Sequence, residues 1–165
     1  MSAGPGKEVM NELYETIAEH AFFSGMTPEH LAVLSACARE AEFKAGDVLI
    51  REGEPANRFY LMQSGKIALE AHELADGTVP IQTLCPGEVV GWSWLFPPFV
   101  WHLQALALEP TVVVILDGAH LLNAAEWDHD FGYELMKRVA QVVIHRLQAT
   151  RKQLLRQEIE SIMEG

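Results

Sequence analysis

The residues able to do covalent or acid–base chemistry are scattered along this chain. Gly91-Trp92-Ser93-Trp94-Leu95 carries the first half of the Gly-x-Ser-x-Gly turn that exposes a nucleophilic serine. Leu95, however, stands where the second glycine belongs, and no strand-to-helix context surrounds it. The seven histidines, His20, His30, His72, His102, His120, His129 and His145, contain no HxH or HxxxH spacing that would converge on a metal ion, and most of them suit surface or helix-end positions. Glu126, Asp128 and Asp130 are close enough for a carboxylate pair, but they suit the start of a helix, where the dipole favours negative charge. Cys37 and Cys85 lack CxxC spacing and read as buried, inert thiols in a reducing, cytoplasmic compartment. With no nucleophile next to a base, the chain is expected not to be an enzyme and to hold no metal.

Two other concentrations of residues stand out. Trp92, Trp94, Phe96, Phe99 and Trp101 surround Pro97-Pro98 within Val89 to Leu108, a stretch without a charged residue. Gly91, Pro97, Pro98, His102 and Gln104 interrupt that stretch, so it reads as folded core rather than a membrane span. Such aromatic mass makes a pocket for a flat or apolar ligand, a patch for a partner protein, or the filling of an interior cavity. The other concentration is basic: Lys137, Arg138, Arg146, Arg151, Lys152 and Arg156 occur between Leu135 and Gln157 with no acid among them. The whole chain carries a formal charge of −11, which repels phosphate backbones and argues against generic nucleic-acid binding. Arg138, Lys152 and Arg156 fall together on a helical wheel, as a solvated face or a surface for an acidic partner.

The elements that must position these residues follow from periodicity. At 165 residues the chain is the size of one domain, able to bury roughly two-thirds of its unfolded surface. Glu8 to Phe23 spaces Val9, Leu13, Ile17 and Ala21 four apart, with Met10 and Tyr14 widening the stripe, which predicts an amphipathic helix. Thr27-Pro28-Glu29 starts a second, short helix whose face is Leu31, Leu34 and Ala38. From about residue 42 to 117, β-prone runs alternate with turns at Gly46, Gly53, Gly65, Asp76-Gly77 and Gly87, predicting a compact antiparallel roll or barrel. The expected strands are Val48–Arg51, Phe59–Met62, Ile67–Glu70, Pro80–Leu84, Trp101–Leu108 and Thr111–Leu116, and Asp76-Gly77 is the clearest hairpin. After Gly118 the chain returns to helix, briefly through Ala125 and then from about Asp130 to the end. There Met136, Ala140, Val143, Leu147, Thr150 and Leu154 step by 4, 3, 4, 3 and 4, a heptad seam that predicts a homodimer, while Leu135, Val139 and Val142 form a separate strip to lie on the roll.

This order of elements resembles the cyclic-nucleotide-binding domain of the catabolite-activator superfamily. Phe43-Lys-Ala-Gly-Asp-Val-Leu-Ile-Arg-Glu-Gly-Glu-Pro-Ala56, running into Phe59-Tyr-Leu-Met-Gln-Ser-Gly-Lys-Ile67, is similar to that family's opening strands. Gly87-Glu-Val-Val-Gly-Trp-Ser-Trp-Leu-Phe96 sits where the family places its phosphate-binding cassette, and Arg146-Leu-Gln-Ala-Thr150 resembles the stretch of long helix that lines the nucleotide. The resemblance implies an α+β, mainly β fold. It is a jelly-roll-like double-stranded β-helix over residues 41–117, with short N-terminal helices over 7–40 and a short helix and long dimerisation helix over 118–165.

It also implies a pocket formed by Gly91, Trp92, Ser93, Trp101, His102, Leu103, Gln104, Thr150 and Arg151, holding a cyclic nucleotide or another small ligand. The family pairs the ligand through a Glu after the cassette glycine and an Arg-Ser/Thr-Ala run near its end. An ungapped alignment places Trp92 at the former and His102-Leu103-Gln104 at the latter, so both charged anchors are expected to be missing. An unperturbed histidine is mostly neutral at pH 7 and replaces little of a guanidinium–phosphate pair. Arg151, beside Thr150, is the expected anion contact. Only Glu158 to Gly165 follow the expected nucleotide-lining helix, too few residues for a DNA-reading domain, so direct sequence-specific DNA binding is not expected. The expected role is a non-enzymatic regulatory or sensor module, a homodimer away from membranes, that either binds a different small molecule or works through contact with a protein partner; the alternatives are a genuine cyclic-nucleotide-binding signalling domain and the sensor half of a transcription regulator acting through a partner chain.

Overall fold

A computed structural model describes residues 13–73 and 77–164. Helical residues 13–19 (α1) lead through a 3₁₀ turn, Ala21–Phe23, to α2 (Pro28–Ala36). Eight strands follow: β1 (Ala38–Phe43), β2 (Val48–Ile50), β3 (Arg58–Ser64), β4 (Ile67–Glu73), β5 (Gly77–Leu84), β6 (Val89–Val90), β7 (Gln104–Ala107) and β8 (Thr111–Asp117). A second 3₁₀ turn, Ser93–Leu95, separates β6 from β7, and α3 (Gly118–Trp127) and α4 (His129–Glu164) close the chain. The strands form two four-stranded sheets, ordered β1-β8-β3-β6 and β2-β7-β4-β5, with antiparallel pairing throughout. This is the jelly-roll-like β-roll, with a long C-terminal helix, that the sequence predicts.

In the first sheet Phe59 to Met62 and Val113 to Leu116 are buried without alternation. Strict alternation marks a strand wet on one face, and here both faces are covered, since α3 packs against β3 and β8. Leu135 and Val139 of α4 are fully buried and Val142 packs on the same core, whereas Met136, Val143, Leu147 and Leu154 are exposed. Gly132 lets α4 approach α3, since a Cβ there would stand 2.9 Å from the Ala125 carbonyl.

Several expectations change. Ala38 is not on the face of α2, because Cys37 caps that helix and Ala38 begins β1, paired to Leu116. The roll thus starts at Ala38 rather than at residue 41 or 42. Helix α1 stops at residue 19, and the tighter 3₁₀ turn shifts the phase so that Ala21 faces solvent while Leu13 and Ile17 are buried. Val9, Met10, Asp76 and the rest of residues 1–12, 74–76 and 165 lie outside the described residues. Cys85 is exposed in the turn after β5, not buried; Cys37 is half-buried, and burial pushes its thiol up to about 11.

His20 is also interior rather than a surface histidine. Its Nδ1 accepts the Phe22 N–H at 3.2 Å, which leaves the proton on Nε2 to donate to the Met62 carbonyl at 3.1 Å. Burial holds its pKa below the ordinary histidine value, so the folded ring resists a proton that the unfolded chain accepts near 6.5. The neutral ring's stabilisation is whole above that pH and is lost as pH falls through it, by at most about 1.4 kcal/mol per pH unit for one proton. Thermal unfolding at pH 7.5 and 5.5 is expected to show a smaller acid loss in His20→Gln than in wild type; equal losses would place the titration elsewhere.

Candidate functional site

The segment between β6 and β7 is anchored before it can hold anything. Trp94, 2% exposed, donates its indole N–H to the Gly91 carbonyl at 2.8 Å, and its ring lies 5.6 Å from Phe59. The chain then passes Pro97-Pro98 and returns beside Pro55, where Ala56 N–H donates to the Phe99 carbonyl at 2.7 Å. This delivers Trp101, 7% exposed, back against Gly91. A Cβ on Gly91 would stand 2.7 Å from the Trp101 ring, and φ is +85° there, so only glycine accommodates both the backbone turn and the indole.

What remains between these groups is a cavity of about 50 Å³. Gly91, Trp92, Ser93, Trp101, His102 and Leu103 border it, so six of the nine expected site residues come together. His102 is otherwise exposed, and Ser93 is buried within its 3₁₀ turn. Gln104 points to β4, donating to Glu70 Oε2 at 3.4 Å. Thr150 bonds back to the Arg146 carbonyl at 2.9 Å, and Arg151 faces solvent, so neither borders the cavity.

The helical residue that enters the cavity is Arg146. Only 8% exposed, it places its guanidinium carbon 4.7 Å from the centre of the Trp92 ring and donates from Nε to Gln82 Oε1 at 3.0 Å. Burial lowers its pKa to about 10, with Glu88 pulling the other way, so it stays a cation at neutral pH. A cation over an indole face contributes roughly 0.5–2 kcal/mol. Position 146 continues the roll-facing strip Leu135, Val139, Val142 by one further step of four. That step was the signal for this residue. Arg138, read as part of a free basic face, instead pairs with Glu134 one turn back on its own helix and ties α4 to the N-terminal segment by donating to the Ser24 carbonyl, 2.8 Å away. Asp128 begins α4 by accepting from the Asp130 and Phe131 N–H groups.

The sequence model of the cyclic nucleotide-binding domain family matches residues 40–127. The acetyltransferase Pat of Mycolicibacterium smegmatis is 32% identical over 96 residues, 58% of this chain and 28% of that protein. The CRP-like cAMP-activated global transcriptional regulator of Mycobacterium tuberculosis is 26% identical over 141 residues, 85% of this chain and 61% of that protein. The chain thus spans less than two-thirds of either relative. A solved Geobacter metallireducens chain, assigned as a cyclic nucleotide-binding protein, superposes with TM-score 0.72 at 30% identity, covering 81% of this chain and 96% of that one. The regulatory subunit of a cAMP-independent protein kinase A from Trypanosoma brucei shares the fold, with TM-score 0.70 at 19% identity over 84% of this chain and 49% of that one.

Proposed function

This chain belongs to the cyclic nucleotide-binding domain family, and from that premise we propose that it is a non-enzymatic regulatory module whose cassette does not hold cAMP or cGMP in the standard way. The observation that carries this reading is the size of the cassette cavity, about 50 Å³ against the roughly 300–1,000 Å³ of ordinary small-molecule sites. Trp92 and Trp101 occupy its walls, and Arg146 closes the helical side. Trp92 also stands where the family's resemblance calls for a carboxylate, and the exposed His102 where it calls for an arginine. The T. brucei relative, named for a cAMP-independent kinase, is consistent with this fold serving regulation without that ligand.

Calorimetric titration with cAMP and cGMP is expected to give no saturable binding below about 1 mM, where micromolar binding would correspond to roughly 8 kcal/mol. Micromolar affinity that disappears in His102→Ala would overturn the reading and make the domain an ordinary cyclic-nucleotide receptor.

The same reading makes the module a homodimer through α4, which works in the cytoplasm by contact with a protein partner. The seam Met136, Ala140, Val143, Leu147, Thr150 and Leu154, exposed at every position except the half-buried Thr150, supports self-association. Among the described residues no helix is long and apolar enough to cross a membrane.

A further inference from the structure

Arg146 also borders a second, larger space. A cleft of about 350 Å³ lies on the flank of the roll between α4, β5 and the turn that leads into β6, and Arg146 is the one lining residue it shares with the cassette cavity. Phe22, Leu84, Val89 and Val142 supply apolar surface, and Gln82 and Gln141 supply amide groups. The volume is within the range of small-molecule sites.

A guanidinium carries five N–H donors and a charge that is costly to bury without an anion. Arg146 is more than nine-tenths buried, yet its polar partner is the neutral Gln82 amide, accepting from Nε alone. Among the described residues no carboxylate lies within ion-pair distance of it. The other ionisable groups lining the cleft are Arg138, His145 and Glu88. Arg138 is engaged by Glu134, and the Glu88 carboxylate accepts the Cys85 N–H at 2.6 Å. The cleft therefore combines an apolar floor with a buried cation that no carboxylate among the described residues contacts, Glu88 acting on it only from beyond ion-pair distance.

We infer that this flank cleft is a binding site for a small organic anion, its carboxylate or phosphate paired with Arg146 and its apolar body resting on Phe22, Leu84 and Val142. The site goes beyond the cassette reading, since it lies outside the cassette and needs no ligand there. An anion at Arg146 acts on the residue that stacks on Trp92, and so couples the cleft to the contact between roll and helix.

The full chain is titrated with 1-naphthyl phosphate, 1-naphthoate and neutral 1-naphthol, by calorimetry and by tryptophan fluorescence. Saturable binding of at least one of the anions, at least tenfold tighter than naphthol, is expected; whichever anion binds tighter identifies the head group. Arg146→Gln, which keeps an amide near Gln82 but removes the charge, is expected to weaken that binding at least tenfold. Gln141→Trp, on the exposed rim, fills the mouth without touching the core and is expected to weaken anion and naphthol alike. The inference is overturned if neither anion saturates below several millimolar, if naphthol binds as tightly as both anions, or if either folded Arg146→Gln or folded Gln141→Trp binds as wild type does. Each of those results leaves the cassette reading intact, because that reading depends on the cAMP and cGMP titrations.

Discussion

Trp94→Ala is expected to lower stability by about 3–5 kcal/mol, the usual cost of removing a buried large aromatic side chain. The ring is 2% exposed and packs against Phe59, and its indole N–H satisfies the Gly91 carbonyl. Its Cβ rests so close to Gly118 that a methyl on that glycine would come within 2.7 Å of it. Neighbours held this tightly cannot collapse into the vacated volume without moving the start of α3, so the cavity persists and the Gly91 carbonyl loses its partner. Urea unfolding reads the loss directly, and a fall in Tm on the order of 10 °C should accompany it. Trp94→Phe, keeping a ring and losing the hydrogen bond, is expected to cost about 1–2 kcal/mol. A loss below 1 kcal/mol in the alanine variant would mean that another contact anchors the cassette.

On the proposed dimer, Leu147→Asp combined with Leu154→Asp is expected to convert the wild-type dimer into monomers in sedimentation equilibrium. Leu147 and Leu154 are 67% and 62% exposed, while Leu135 and Val139 on the adjoining strip are fully buried against the roll. The two strips divide the labour of α4, one for the core and one left to solvent. In a two-fold pair each substitution enters twice, placing like charges opposite each other in an apolar seam. The dissociation constant should rise at least ~100-fold, which corresponds to roughly 2.8 kcal/mol. Far-ultraviolet dichroism of the roll should be unchanged, because neither leucine belongs to its core. A variant that remains dimeric would move the interface off this seam.

Secondary structure was least legible where tertiary pairing outweighs local preference. Ala38-Arg-Glu-Ala-Glu-Phe43 has no β-branched residue and continues a helical pattern, yet it is a strand because β8 offers a complete edge for it in register from Ala38↔Leu116 to Phe43↔Thr111. The two-residue β6 is too short to announce itself against the apolar run around it. Cys85 was misplaced for a related reason: burial of an isolated residue depends on what the fold brings over it.

Local periodicity was enough to define the framework. The glycine-punctuated β runs, the start of α2 at Thr27-Pro28 and the two strips of α4 are repeats of turn chemistry or helical spacing, and each is written in neighbouring residues. The same spacing, carried one step past Val142, already pointed Arg146 at the roll. The state of the site is another matter. That Trp101 lies across Gly91, that Arg146 stacks on Trp92 rather than reaching solvent as Arg151 does, and that the cassette keeps about 50 Å³ while the flank keeps about 350 Å³ were decided only by the tertiary structure. Cavity volume is a small difference between the space enclosed by distant elements and the side chains that fill it, and no run of adjacent residues encodes that difference.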